Sequence, residues 1–170
     1  MIKASRFINE KDPHSTAVAM VVQPGHITWG YCGDSRLYHF HGKHLQTRTV
    51  DHSYVEHLVA SGRITPLQAL THPNRNVLMT SLGGENAPRF DFAEHNAPSA
   101  GDNFILCSDG IWAYFSDDEL GCLLNENSAR EACQKIIRLA RERASGSGDN
   151  LSLVVIRLQE ATRKPGHKPA

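Results

Sequence analysis

No stretch of the 170 residues approaches the roughly 18 consecutive apolar positions that a membrane-crossing helix needs. The opening MIKASRFINEKDPHS also lacks the apolar run of a secretory signal, so the expectation is a soluble, cytoplasmic chain without a membrane partner. An excess of either charge is missing too. Eighteen basic and 18 acidic side chains cancel, which removes the broad field that nucleic acid or an anionic surface would select. Partners must then be recognised locally. Cysteine is scarce: Cys32, Cys107, Cys122 and Cys133 form no CxxC pair, so buried thiols are expected in place of a zinc ribbon or a disulfide framework. The glycine-rich SGSGDN at 145–150 lacks the Lys-Ser/Thr of a P-loop and precedes a strand, which argues against nucleotide binding. There is no internal repeat.

Histidine, by contrast, is plentiful, with ten in the chain. In RLYHFHGKH, His39 and His41 alternate with Tyr38 and Phe40, so on a strand they share one face and could pair on a metal. Without HExxH spacing, a solvated strand face and hairpin tip is the favoured reading.

The order of elements is legible from periodicity. STAVAMVV (15–22) and ITWGYCG (27–33) flank the Pro-Gly turn QPGH, and RLYHFHGKHLQTRT repeats strand, glycine turn, strand, which predicts an antiparallel meander. Val55, Leu58 and Val59 follow the cap Ser53 at helical spacing up to Gly62, and Pro66 opens a short helix. The breaker-rich THPNRNVLMTSLGGENAP reads as an exposed flap. Strands return at RFDFAEHN and NFILCSD. Two helices then open on Ser116 with Glu119 and on Ser128 with Glu131, both capping-box spacings. Cys133, Ile136, Ile137 and Ala140 form the buried stripe of the second, and the nearly continuous LSLVVIRL reads as an inner strand. The fold class expected is α+β, antiparallel sheet with helices packed on a face. Residues 1–13 form a polar lead-in, 14–158 the domain and 159–170 a flexible tail.

Three aspartates share a grammar: CGDSR (Asp34), CSDGI (Asp109) and SGDNL (Asp149) each stand at a strand end beside glycine. There a sharply turning backbone can aim carboxylates into a common crevice. Hard divalent ions need oxygen ligands and keep several waters, so a few scattered aspartates suffice. Each taken singly also fits an ordinary turn.

In this order STAVAMVV, GYCGDSRLYHF, DHSYVEHLVASGRIT to HPNRNVLMTSLG, GDNFILCSDGIW and SGDNLSLVVI resemble the motifs of the PP2C-type (PPM) metal-dependent protein serine/threonine phosphatases of bacteria. The resemblance runs from about residue 14 to 158. It implies a partial PP2C-like β-sandwich of two antiparallel sheets flanked by helices. It implies Mg²⁺ or Mn²⁺ as cofactor and a phosphoprotein substrate, opposing a Ser/Thr kinase. Asp109 and Asp149 match aspartates that hold the first catalytic metal; Asp34 matches one that helps hold a third ion beside Asp109. The chemistry implied is attack of a metal-activated water on phosphorus. On this reading Asp109 caps a rigid strand and Gly110 permits the turn. Residues 53–82 match the family's flap, which holds Arg75 and Asn76, and Trp112 is expected in the core.

Two departures accompany the resemblance. The sequence contains no counterpart of the N-terminal DGxGG motif, whose aspartate bridges the first two metals, and Asp12, before proline in a polar lead-in, is not promoted to that role. Ala113 stands where some members carry another acid. A C-terminal piece of a longer phosphatase and a genuine short protein both fit. The exposed sheet surface implied by the missing elements would favour self-association, with STAVAMVV foremost. A catalytically incomplete binding or regulatory module is the alternative function.

Overall fold

The computed structural model describes residues 13–83, 87–146 and 150–160. Asp12, Asp149 and most of the lead-in and tail lie outside the described residues. Seven strands form two antiparallel sheets: β1 (Ala17–Gln23), β2 (His26–Cys32) and β5 (Asp91–Asn96) in the order β1-β2-β5, and β3 (Arg36–His41), β4 (His44–Arg48), β6 (Asp102–Cys107) and β7 (Leu153–Arg157) in the order β4-β3-β6-β7. The expected single meander is therefore corrected. Its two hairpins belong to different sheets, and the chain crosses between them at Gly33–Ser35. Gly33 has φ +102°, and a Cβ there would lie 2.4 Å from Thr16 Cγ2, so only glycine fits that corner.

The crossing is what lets both hairpins bury an apolar face. Ile27, Trp29 and Tyr31 alternate on β2 and meet Leu37 and Phe104 between the sheets. Tyr38, Phe40, Ile105 and Cys107 point the other way, onto the helices. Burial holds the Cys107 thiol up at about 12, so it is inert packing. Cys32 is likewise buried, but Cys122 is exposed and Cys133 only half-buried, which corrects the expectation of four buried thiols.

Five helices follow among the described residues, three of them on the caps read from the sequence and one opened by Pro66 as expected. α1 (Tyr54–Ala60) starts on Ser53, α2 (Pro66–Leu70) on Thr65, α4 (Asp117–Glu126) on Ser116 and α5 (Ala129–Ala144) on Ser128. The capping box closes at Ser128–Glu131. At Ser116 only half of it forms: Ser116 accepts from the Glu119 amide, while the Glu119 carboxylate is drawn to Arg143 in a two-pronged pair of 2.5 and 2.8 Å. The buried stripe of α5 is Ala132, Ile136, Ala140 and Ala144, one residue round from the predicted face, because small residues let the helix lie close to the sheet.

β7, expected inside a sheet, is the edge of the four-stranded sheet among the described residues, and Val154 is 51% exposed. Its apolar run reflects contact with α5 as well as with β6. On the three-stranded sheet Phe92 packs over Gly30 on the face away from Trp29, and it is 73% exposed. Val21 and Phe90 are exposed as well. This apolar surface matches the partial sandwich expected. None of the helices among the described residues is long and apolar enough to cross a membrane.

Candidate metal centre

Asp34 sits at the corner where the chain passes from one sheet to the other. Three contacts fix that corner. The His52 backbone amide donates to the Gly33 carbonyl at 2.9 Å, the Gly33 amide donates back to His52 Nδ1 at 3.2 Å, and the Trp112 indole N–H donates to the Asp34 carbonyl at 2.9 Å. His52 is itself stacked on Tyr31, ring centroids 5.0 Å apart, with its Nε2 3.2 Å from Asp91. Trp112 carries the Arg36 guanidinium 3.6 Å over its ring, and Arg36 grips Asp51 through two 2.8 Å bonds. Trp112 is thus half-buried packing, as expected, and it also positions its neighbours, since its polar edge holds Asp34's backbone and its face is occupied by Arg36.

Asp109 reaches the same corner from the end of β6. Ser108 precedes a single helical turn, α3 (Asp109–Trp112), without a side-chain capping bond, and the sequence pattern does not announce this turn. Asp109 Oδ1 accepts the Gly110 amide at 2.9 Å. Gly110 does not serve the turn, since its φ is not positive. Its role is close approach: a Cβ there would fall 2.6 Å from the Asn150 carbonyl oxygen. Ser108 completes the seam, its Oγ donating to the Asn150 carbonyl and accepting the Ser152 amide, both at 3.1 Å. The segment after the SGSGDN loop is therefore laced to the turn that carries Asp109, and Asp149, which immediately precedes Asn150, is outside the described residues.

Burial, then the charge of Asp109, then that of Asp51 push the Asp34 carboxyl up to about 6. Asp51 is engaged by Arg36. Asp34, on the crossing between β2 and β3, and Asp109, at the end of β6, thus stand at the same corner of the fold. Spacing alone missed Asp51, His52 and Arg36, which build the corner; the adjacency of Asp51 and His52 at the mouth of the flap was the available signal. The flap spans α1 and α2 and is pinned by the bridges Ser53↔Leu78 and Ser15↔Leu82. Arg75 and Asn76 lie exposed on it, and Ala113 is exposed at the end of α3.

No family model matches the chain. Individual proteins do. The chain is 34% identical over 142 residues to the serine/threonine protein phosphatase PstP of Mycobacterium tuberculosis, covering 83% of this chain and 27% of that protein. The crystal structure of the PPM Ser-Thr phosphatase MsPP from Mycobacterium smegmatis in complex with cacodylate is 30% identical with a TM-score of 0.69, covering 84% of this chain and 61% of that one. The catalytic domain of PstP in complex with two manganese ions is 29% identical with a TM-score of 0.76, covering 94% of this chain and 66% of that one. In each case the chain spans less than two thirds of the protein it matches. With the antiparallel sandwich and the aspartate corner in place, these similarities show that the chain belongs to the PP2C-type (PPM) family of protein serine/threonine phosphatases.

Proposed function

We propose that the chain is the metal-holding part of a Mg²⁺- or Mn²⁺-dependent phosphatase acting on phosphoserine and phosphothreonine in proteins. The observation that carries the reading is the shared corner of Asp34 and Asp109: the indole of Trp112, on the turn that Asp109 opens, donates to the Asp34 carbonyl at 2.9 Å, and the charge of Asp109 helps to raise the Asp34 carboxyl's pKa. An all-oxygen donor set with mutually repelling carboxylates fits a hard divalent cation, which relieves that repulsion. Asp34, Asp109 and Asp149 would hold it. When bound, such an ion supplies an acidified water as nucleophile and neutralises phosphoryl oxygens. The chain's own work is positional: His52 and Trp112 fix Asp34, and Ser108 and Gly110 bind the Asp109 turn to the segment following Asp149. The manganese-bound neighbour supports the choice of ion.

The substrate would be a phosphoprotein, the opposing enzyme a Ser/Thr kinase, and the compartment the cytoplasm, where a kinase finds its nucleotide. Self-association would use the exposed Val21, Phe90 and Phe92.

Calorimetric titration of the 170-residue chain with Mn²⁺ tests the metal assignment. Saturable binding is expected, weakened on the order of tenfold or more in Asp109→Asn. Equal binding by that variant would remove Asp109 from the ligand set.

A further inference from the structure

The far end of the sandwich holds a second group of metal-ligating side chains. His39 was expected on a solvated strand face, yet it is 3% exposed, sandwiched between the sheets with its ring stacked on Phe104 at 4.6 Å and 11°. The reason is the crossover: once β3 and β2 face each other across the core, the face of β3 that carries Leu37 and His39 points inward. His95 of β5 meets His39 from the opposite sheet, ring centroids 4.5 Å apart. Asp102, at the start of β6 and 2% exposed, lies between them.

His39 Nε2 is 3.2 Å from Asp102 Oδ1, and His95 Nε2 is 3.3 Å from Asp102 Oδ2. One ligand atom from each of the three residues lies within 4.8 Å of the others. Metal–nitrogen and metal–oxygen bonds of about 2.0–2.1 Å in a tetrahedron place neighbouring ligand atoms about 3.3 Å apart, close to the 3.2 Å between His39 Nε2 and Asp102 Oδ1. His39 Nε2, despite its short approach to the carboxylate, makes no hydrogen bond and is fully buried. A buried, unpartnered imidazole nitrogen aimed into a His/Asp cluster is an abnormal feature of a core. A cation supplies the partner it lacks.

We propose that His39, His95 and Asp102 form a structural site for a zinc-class transition metal that clips the two sheets together. The donor chemistry separates it from the aspartate corner, since two imidazoles and one carboxylate suit Zn²⁺, Co²⁺ or Ni²⁺ over Mg²⁺. The Ser99 amide, 2.8 Å from Asp102 Oδ2, orients the carboxylate from behind. His41, half-exposed with Nδ1 2.9 Å from Asp102 Oδ1, stands beside the cluster as a further imidazole or as its cover. His95, 28% exposed, marks the entry path. Strand rise over residues 102 to 109 sets this site about 20 Å from Asp109.

The test is titration of the chelator-treated 170-residue chain with Co²⁺. Intense tetrahedral visible bands are expected, bleached by an equivalent of Zn²⁺ and untouched by excess Mg²⁺. Zn²⁺ at about a hundredfold over its dissociation constant should raise the melting midpoint by about 5–10 °C. His95→Ala, at a partly exposed position that leaves the core filled, should abolish both signals, while Asp109→Asn should retain them. A folded wild-type chain without tetrahedral bands, or a folded His95→Ala variant that keeps them, would overturn the proposal.

Discussion

Gly121→Ala is expected to destabilise the fold by about 2–3 kcal/mol, lowering the thermal midpoint by about 5–10 °C. Gly121 is buried on α4, where the helix crosses the tip of the β3–β4 hairpin. A Cβ there would lie 2.1 Å from the Lys43 carbonyl oxygen and 3.2 Å from Phe40. The first of these is backbone, so no rotamer change relieves it. Either the hairpin or the helix must withdraw, and withdrawal loosens Leu120 and Leu124 from their contacts with Phe40. Ordinary helix propensity predicts the opposite sign, since alanine is the better helix former by about 1 kcal/mol. Thermal or urea denaturation decides between them, and an unchanged or raised midpoint would refute the packing described.

Gly110→Ala should act mainly on function. The added methyl meets the Asn150 carbonyl oxygen at 2.6 Å and Leu151 at 3.0 Å, so the 150–152 segment must move off the Ser108 turn. Asp149 is the next residue back along the chain. Displacing a reacting or ligating group by about 1 Å costs on the order of a hundredfold. Metal-stimulated aryl phosphate hydrolysis is therefore expected to fall about 10- to 100-fold, with a modest change in stability because the affected seam lies at one end of the sheet. Undiminished hydrolysis by a folded variant would show that the seam does not position the centre.

Much of this architecture is legible in the sequence because its signals are local. Ser53, Thr65, Ser116 and Ser128 each cap the helix that follows. The alternation of Ile27, Trp29 and Tyr31 marks β2's inner face as plainly as any contact does. What was not legible depends on which sheet a strand joins. The turn at Gly33 could close a hairpin or cross a sandwich, and only the packing of Leu37 against Trp29's sheet distinguishes them. The same ambiguity turned His39 from a surface residue into a core one, and left β7's position in the sheet undetermined, since burial by a helix and by a second strand look alike in sequence. At the candidate metal centre the aspartates are legible through ordered motifs that resemble the family's. The corner that holds them rests on Arg36, His52 and Trp112, residues from separate elements whose meeting has no spacing rule.

If Asp109 belongs to a metal centre able to hydrolyse phosphate esters, p-nitrophenyl phosphate turnover by the 170-residue chain should reveal it. With Mn²⁺, turnover is expected that vanishes on chelation and falls on the order of a hundredfold or more in Asp109→Asn. Turnover that survives chelation or the substitution would separate the activity from this centre. Silence from a folded, Mn²⁺-loaded chain would refute the catalytic assignment and point to the non-catalytic module instead.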